Sequence, residues 1–221
     1  MRALAKPEVL RQAAVAAVGS TLLAWPRLAR WSDNPTPLWL AVGTLCWAAF
    51  CLWAAVFAWH EEYSGRPVWR WRVPAREWLL ATLAGVVGAV LFSQTIDPLG
   101  RALRPQDYPA STAAWGTQVL FYLGFEQLFI YLAPLAFFLR LTRSAQIAVG
   151  ATVVLRIFFL WLGTELPRLA PTAGGVLWLV LARVVATLVV LGIYLRGGLL
   201  PVCWVGLVLQ ARHWLAMETG E

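Results

Sequence analysis

Charged residues are scarce in this sequence. Only 13 % of the 221 residues are Asp, Glu, Lys or Arg, whereas 60 % are hydrophobic. A chain so poor in charge cannot cover its surface with polar side chains in water, which excludes a soluble globular domain. The composition predicts an integral membrane protein.

Motifs of the common enzyme and metal-site classes are missing as well. The sequence has two histidines and three cysteines, with no C-x-x-C pair, no G-x-S-x-G and no phosphate-binding glycine loop. Zinc sites take three or four His, Cys or carboxylate ligands, so a divalent metal is poorly supplied here. The sequence thus gives a divalent metal only weak support and indicates no other cofactor. The arginines form no continuous block, which argues against nucleic-acid binding despite the net charge of +7.

Long apolar stretches fill most of the chain. A helix needs about 20 apolar residues to cross a bilayer core about 30 Å thick. Residues 37–59 and 78–96 have this length and contain no charged side chain. Further spans are predicted over residues 114–139, 145–163, 174–195 and 198–217, with a weaker one over 9–26. The predicted fold class is an all-α, polytopic integral membrane helical bundle of about seven transmembrane helices.

The membrane orientation follows from the basic residues. Residues 9–26 also resemble a signal peptide, but no small-x-small cleavage site follows them. Lys and Arg are more frequent in the segments on the N-terminal side of the membrane, mainly in the loop 60–77, which predicts a cytoplasmic N-terminus. Because Trp69 and Trp71 alternate with arginines there, we expect this loop to meet anionic headgroups. The expected location is a bacterial inner membrane.

Three charged residues lie near the centres of predicted spans. Glu126, Arg156 and Arg183 each occupy such a position. A charge at a helix centre costs about 2.5 to 3.5 kcal/mol on insertion scales, so the three are expected to face inward and meet. One carboxylate between two guanidiniums is either an ion cluster that fixes helix register or, because positive charge is in excess, a place for a further anion.

The stretch "EQLFIY", Glu126 to Tyr131, is similar to the first motif of the CPBP family of CAAX-processing and Abi-like intramembrane proteases. That motif is E-E-x-x-x-R on a membrane helix, followed by three more spans. Glu126 matches its first position, while Gln127 and Tyr131 replace the second Glu and the Arg. The resemblance divides the chain into N-terminal helices with a basic loop, 1–110, and a protease-like four-helix core, 111–221.

The later family motifs contain histidines. F-x-x-x-H would place Gly163 at the His position after Phe159. H-x-x-x-N would fall in the last span, either on Gly206 and Gln210 or on His213 with Met217 as the Asn position. The catalytic histidines of the family therefore have at most one counterpart, His213. A solvent-seeking helix end is the alternative reading of that histidine.

The resemblance implies an intramembrane endopeptidase, or a degenerate relative of one, that acts on a membrane-embedded peptide. In this reading Glu126 activates water, Gln127 and His213 assist, and four residues stabilise charge: Arg156, Arg183, Tyr122 and Gln210. The competing hypothesis is a non-catalytic membrane protein that binds a partner, a lipid or another anion. A small transporter is less favoured, because the two halves show no repeat.

A second stretch, Glu61 to Arg66, satisfies E-E-x-x-x-R letter by letter and follows His60. Ser64, Gly65 and Pro67 interrupt a helix there, so the sequence predicts an aqueous turn at this position.

Overall fold

The computed structural model describes residues 3–30, 35–103, 105, 108–162 and 173–219. Over that part of the chain the regular structure is entirely helical. The α-helices are α1 Pro7–Leu28, α2 Pro35–Ala55, α3 Glu61–Ser64, α4 Ala75–Thr95, α5 Asp97–Leu103, α6 Thr112–Phe121, α7 Ala133–Thr142, α8 Ala145–Leu162, α9 Ala173–Gly197 and α10 Leu199–Thr219. Among the described residues, three π-helical segments adjoin them: π1 Val56–His60, π2 Tyr122–Glu126 and π3 Leu128–Leu132.

Within the described ranges, six helical stretches are long and apolar enough to cross a membrane. They are Thr36–Ser64, Ala75–Thr95, Thr112–Thr142, Ala145–Leu162, Gly174–Gly197 and Leu199–Glu218. Each corresponds to one of the predicted spans, so the all-α polytopic fold is confirmed and the protein is an integral membrane protein. The remaining predicted span, 9–26, forms the 22-residue helix α1, which is not among the six. Its crossing of the membrane stays a prediction.

Large apolar side chains cover the outside of the helices. Val15 is 70 % exposed, Leu40 69 % and Trp161 68 %. In water such a surface would cause aggregation, whereas in a bilayer these side chains contact the lipid hydrocarbon chains. Helices suit this solvent because each satisfies its own backbone hydrogen bonds.

The chain divides into two compact units, of which unit 1 combines Met1–Val68 with Gly116–Ala148. Its helix α1 packs through a stripe of buried, mostly small residues: Ala13, Ala17, Ser20, Ala24 and Leu28. The indole Nε1 of Trp53 on α2 donates a hydrogen bond to Ser20 Oγ over 2.9 Å. Gly124 in π2 also packs closely against α1, because a Cβ added at Gly124 would lie 2.7 Å from Leu23 Cβ. Small residues thus bring helix backbones together, as is usual in membranes.

The span that carries Glu126 is wound partly as a π-helix. The α-helix α6 changes to π2 at Tyr122, and π3 follows before α7. Pro134, near the start of α7, has no amide hydrogen for the carbonyl of residue 130, and its ring crowds that carbonyl in an α-helix. A wider turn at Leu128–Leu132 relieves this crowding. Pro134 predicts a distortion within about one helical turn. In the structure the π-helical winding begins further upstream, at Tyr122.

Unit 2 combines Trp69–Trp115 with Val149–Glu221, and its centre is a parallel pair of helices, α4 and α10. A Cβ on Gly85 would lie 2.7 Å from Val208 Cβ, and the Arg212 guanidinium lies 5.5 Å from the Phe92 ring. Contacts therefore advance along both helices in the same direction. Before α10 the chain reverses at Gly198, where φ is +78°, a value that favours glycine.

Each unit takes residues from both sides of position 110. The predicted domains, 1–110 and 111–221, are defined by the resemblance to a protease core and not by compactness. That division stays a prediction.

Candidate functional site

A buried ion pair joins the end of α4 to the last turns of α10. Asp97 is the first residue of α5, and its side chain is 6 % exposed. Arg212 Nε donates to Asp97 Oδ2 over 2.8 Å, and its Nη2 lies 3.4 Å from Oδ1. The remaining guanidinium nitrogen, Nη1, donates to the Leu209 carbonyl over 2.7 Å. The planar guanidinium thus faces the carboxylate along one edge, which is the strong geometry for this pair.

His213 and Tyr108 complete this group, which we call the Asp97 cluster: Asp97, Tyr108, Arg212 and His213. His213 Nδ1 lies 3.9 Å from Asp97 Oδ2, and the imidazole meets the Tyr108 ring edge-on with centroids 5.3 Å apart. The Tyr108 hydroxyl donates to Asp97 Oδ1 over 3.4 Å. Burial, and then the neighbouring Asp97 carboxylate, raise the pKa of Tyr108 to about 12. The phenol is therefore neutral over the physiological range.

A cleft of about 230 Å³ opens beside the cluster. Its lining is Arg101, Pro105, Tyr108, Pro109, Ala110, His213 and Met217. The Arg101 guanidinium lies over the Tyr108 ring, 5.4 Å from its centroid. Three polar groups, one guanidinium, one imidazole and one phenol, thus lie on an otherwise apolar wall.

His213 and Gln210 were both predicted as site residues, and both lie in this part of unit 2. The His213 ring is buried at 5 % exposure, so it packs within the protein beside Asp97. Gln210 is 8 % exposed, and its carbonyl accepts a hydrogen bond from Trp115 Nε1 over 2.8 Å. Among the described residues no donor reaches Gln210 Oε1. The structure therefore brings His213 together with Asp97, a carboxylate that the sequence analysis does not single out.

The predicted centre around Glu126 lies in unit 1. Glu126 is the last residue of π2 and is half-buried, while the next residue, Gln127, is 1 % exposed. Tyr122 begins the same π-segment, and Tyr131, at 6 % exposure, lies in π3. Four polar residues thus gather in the π-wound part of one apolar span.

The two arginines expected to meet Glu126 belong to unit 2. Arg156 lies on α8 and Arg183 on α9, both half-buried. Thr187, four residues after Arg183, is 1 % exposed and donates to the Arg183 carbonyl over 2.7 Å. The meeting of these charges stays a prediction. Gly163, the predicted counterpart of a family histidine, lies outside the described residues.

The Glu61 to Arg66 stretch ends a helix, as the sequence predicts. Gly65 has a φ of +67° and its amide donates to the Glu61 carbonyl, which closes α3. Glu61 and Glu62 are exposed, whereas His60, the last residue of π1, is 1 % exposed. Burial of this histidine was not anticipated. Within the described ranges, no group of three or more His, Cys, Asp or Glu side chains is placed to hold a metal ion.

Sequence reasoning missed Asp97 and Tyr108. A usable signal was present: Asp97 directly follows the apolar run 78–96, and Arg212 with His213 ends the last one. Three whole predicted spans and most of a fourth, 198–217, lie between these positions, so both are expected near the same side of the membrane. Opposite charges at two such span ends are candidates for a pair.

Comparisons with known proteins give no match to this chain, whether with family models, with curated proteins or with solved structures.

Proposed function

We propose that the protein is an intramembrane endopeptidase similar to the CPBP proteases, with Glu126 as its general base. The observation that carries the proposal is the π-wound stretch, which holds Glu126, Gln127 and two tyrosines in the middle of an apolar span. Ionisable residues inside a membrane span usually serve function, because burying them is costly. π-Helical turns inside α-helices are frequent at functional sites as well.

In the proposed reaction the Glu126 carboxylate takes a proton from a water molecule while the water oxygen attacks a peptide carbonyl carbon. The carbon–nitrogen bond then breaks, and the protonated Glu126 returns the proton to the leaving nitrogen. Gln127 follows Glu126 in the sequence and Tyr122 precedes it by four residues. Both carry neutral hydrogen-bonding groups, and in this proposal they orient the water. The substrate class is a peptide that is itself embedded in the membrane.

The test compares wild type with Glu126→Gln in proteoliposomes that contain single-span peptides fused to a soluble reporter. Wild type should release the reporter, and the variant should lose about 100-fold or more of that rate, because a general base contributes about this much. Glu62→Gln is the matched control, since Glu62 is exposed in the same unit. Equal release by wild type and Glu126→Gln would rule out the proposed base.

A non-catalytic relative that binds a membrane peptide or lipid is the second candidate. His213 is the one histidine that the resemblance offers for catalysis. Its ring instead contacts Asp97 and Tyr108 in unit 2, and this structural role favours the non-catalytic candidate. Gln127 and Tyr131, which stand where the family motif has its second Glu and its Arg, also favour a protein without protease activity. In this case neither wild type nor Glu126→Gln releases reporter, and the peptides co-purify uncleaved with wild type.

The proposed location is a bacterial inner membrane, with the N-terminus in the cytoplasm. The support is that Arg70 in the loop before α4 donates to the carbonyl of Arg196 near the end of α9, so basic residues of two connections lie at one end of unit 2. Alkaline phosphatase fused after Pro74 should be inactive, and after Ala110 active. The opposite pattern would reverse the orientation.

A further inference from the structure

The segment before α4 presents two stacked indole rings. The Trp69 and Trp71 rings lie 6.0 Å apart between centroids, with 12° between their planes. Trp71 is 82 % exposed, and Arg72 and Arg76 beside it are exposed too. A tryptophan this exposed suits the headgroup layer, where an indole can meet both apolar chains and water.

A second connection joins the same surface. The Arg70 guanidinium donates to the carbonyl oxygen of Arg196, and the Arg196 side chain is exposed. This bond holds the segment before α4 against the turn between α9 and α10. We call the resulting surface the Trp/Arg surface, defined by Trp69, Arg70, Trp71, Arg72, Arg76 and Arg196.

Two further tryptophans lie close to the segment before α4. Trp78, in the first turn of α4, meets Trp204 edge-on with centroids 6.3 Å apart. Trp204 Nε1 in turn donates to Thr82 Oγ1 over 2.8 Å. Tryptophans thus continue from the loop into the first turns of α4 and α10. Tryptophan is enriched at the level of the lipid headgroups, so this clustering favours a position of the neighbouring arginines at that level.

We propose that the Trp/Arg surface binds the headgroups of anionic phospholipids. Three exposed guanidiniums, those of Arg72, Arg76 and Arg196, face outward, whereas the nearby carboxylate of Glu77 is half-buried. A planar guanidinium matches a phosphate with two parallel hydrogen bonds, and its charge adds attraction to an anionic leaflet. The α9–α10 turn is part of the surface, so the site reaches beyond the loop that the sequence indicates. The proposal does not depend on any chemistry at Glu126.

The experiment counts lipid adducts on the purified protein by native mass spectrometry, with phosphatidylglycerol or phosphatidylcholine added to the detergent. Phosphatidylglycerol should bind preferentially to wild type, and less tightly as salt is raised. Each basic residue near an anionic surface contributes about five-fold in affinity, so Arg72→Gln with Arg76→Gln should weaken phosphatidylglycerol binding roughly 25-fold. Arg196→Gln alone should weaken it about five-fold.

Lys6→Gln with Arg11→Gln is the matched control, because both residues are exposed, lie in unit 1 and remove the same charge. It should bind phosphatidylglycerol as wild type does. Soluble glycerol phosphate tests whether the phosphate alone suffices, and it should not compete at concentrations that saturate the lipid. Equal binding of both lipids, an equal loss in the control variant, or competition by glycerol phosphate would each overturn the proposal. A preference for an acidic peptide over phosphatidylglycerol would overturn it in favour of a protein partner.

Discussion

Asp97 and Arg212 form an ion pair with 2.8 Å between Oδ2 and Nε, and this pair links the end of α4 to the end of α10. The two helices run parallel, so no short turn can connect them at this point. Both side chains are largely buried, at 6 % and 12 % exposure. The pair therefore fixes the register of α4 against α10.

Asp97→Asn should destabilise the protein by about 3 kcal/mol, because it leaves the guanidinium of Arg212 without its buried counter-charge. Thermal unfolding in detergent measures the loss. Arg212→Gln should cost a similar amount. The double variant should then cost clearly less than the two single losses added together, since it leaves no unpaired charge. Additive losses would mean that the two residues act separately.

Tyr108 should ionise about two pH units above an ordinary tyrosine, near its raised pKa of about 12. Since the folded-state pKa is raised, the unfolded chain loses the phenolic proton first, and stability falls as the pH rises from about 10 towards 12. The difference in phenolate absorbance between wild type and Tyr108→Phe isolates this group from the other tyrosines. Asp97→Asn should move the midpoint down, because it removes a charge that disfavours the phenolate. A midpoint near 10 in wild type would contradict the partly buried placement of Tyr108 beside Asp97.

The positions of the spans could be read from the sequence because lipid imposes a strong local constraint. Residues 37–59 and 78–96 were predicted from length and absence of charge alone, and they correspond to Thr36–Ser64 and Ala75–Thr95. Each such stretch satisfies its backbone hydrogen bonds internally. No partner elsewhere in the chain is needed to decide that it is helical.

The Asp97 cluster depends instead on contacts between distant residues. Asp97 and Arg212 are 115 positions apart, and their pairing requires α4 and α10 to pack in parallel. Gly85 and Gly88 permit the close packing of α4 against α10. The sequence alone does not predict which helix each glycine contacts. The π-winding from Tyr122 onward likewise exceeds what Pro134 alone predicts, because a proline acts within about one turn.

Gly85→Ala should destabilise unit 2 by about 1 to 3 kcal/mol, because the added methyl group would lie 2.7 Å from Val208 Cβ and force α4 away from α10. Gly43→Ala is the matched control, since a Cβ there meets nothing within 4 Å. It should be neutral or stabilise α2 by up to about 1 kcal/mol through helix propensity. Both values come from thermal unfolding in the same detergent. Equal effects of the two variants would show that α4 and α10 are not in close contact at Gly85.

Ser20→Ala tests the packing of α1 against α2 in unit 1. The hydroxyl of Ser20 accepts a hydrogen bond from Trp53 Nε1, and both residues are 5 % exposed. Removing the acceptor should cost about 1 kcal/mol, the range measured for hydrogen bonds between membrane helices. Trp53→Phe should lower the free energy of unfolding less in the Ser20→Ala background than in wild type, because the indole then has no hydrogen bond to Ser20 to lose. Ser93→Ala serves as control, since among the described residues Ser93 donates to the Val90 carbonyl on its own helix and to no other helix. If Ser20→Ala and Ser93→Ala had the same effect, α1 would not be held to α2 by this bond.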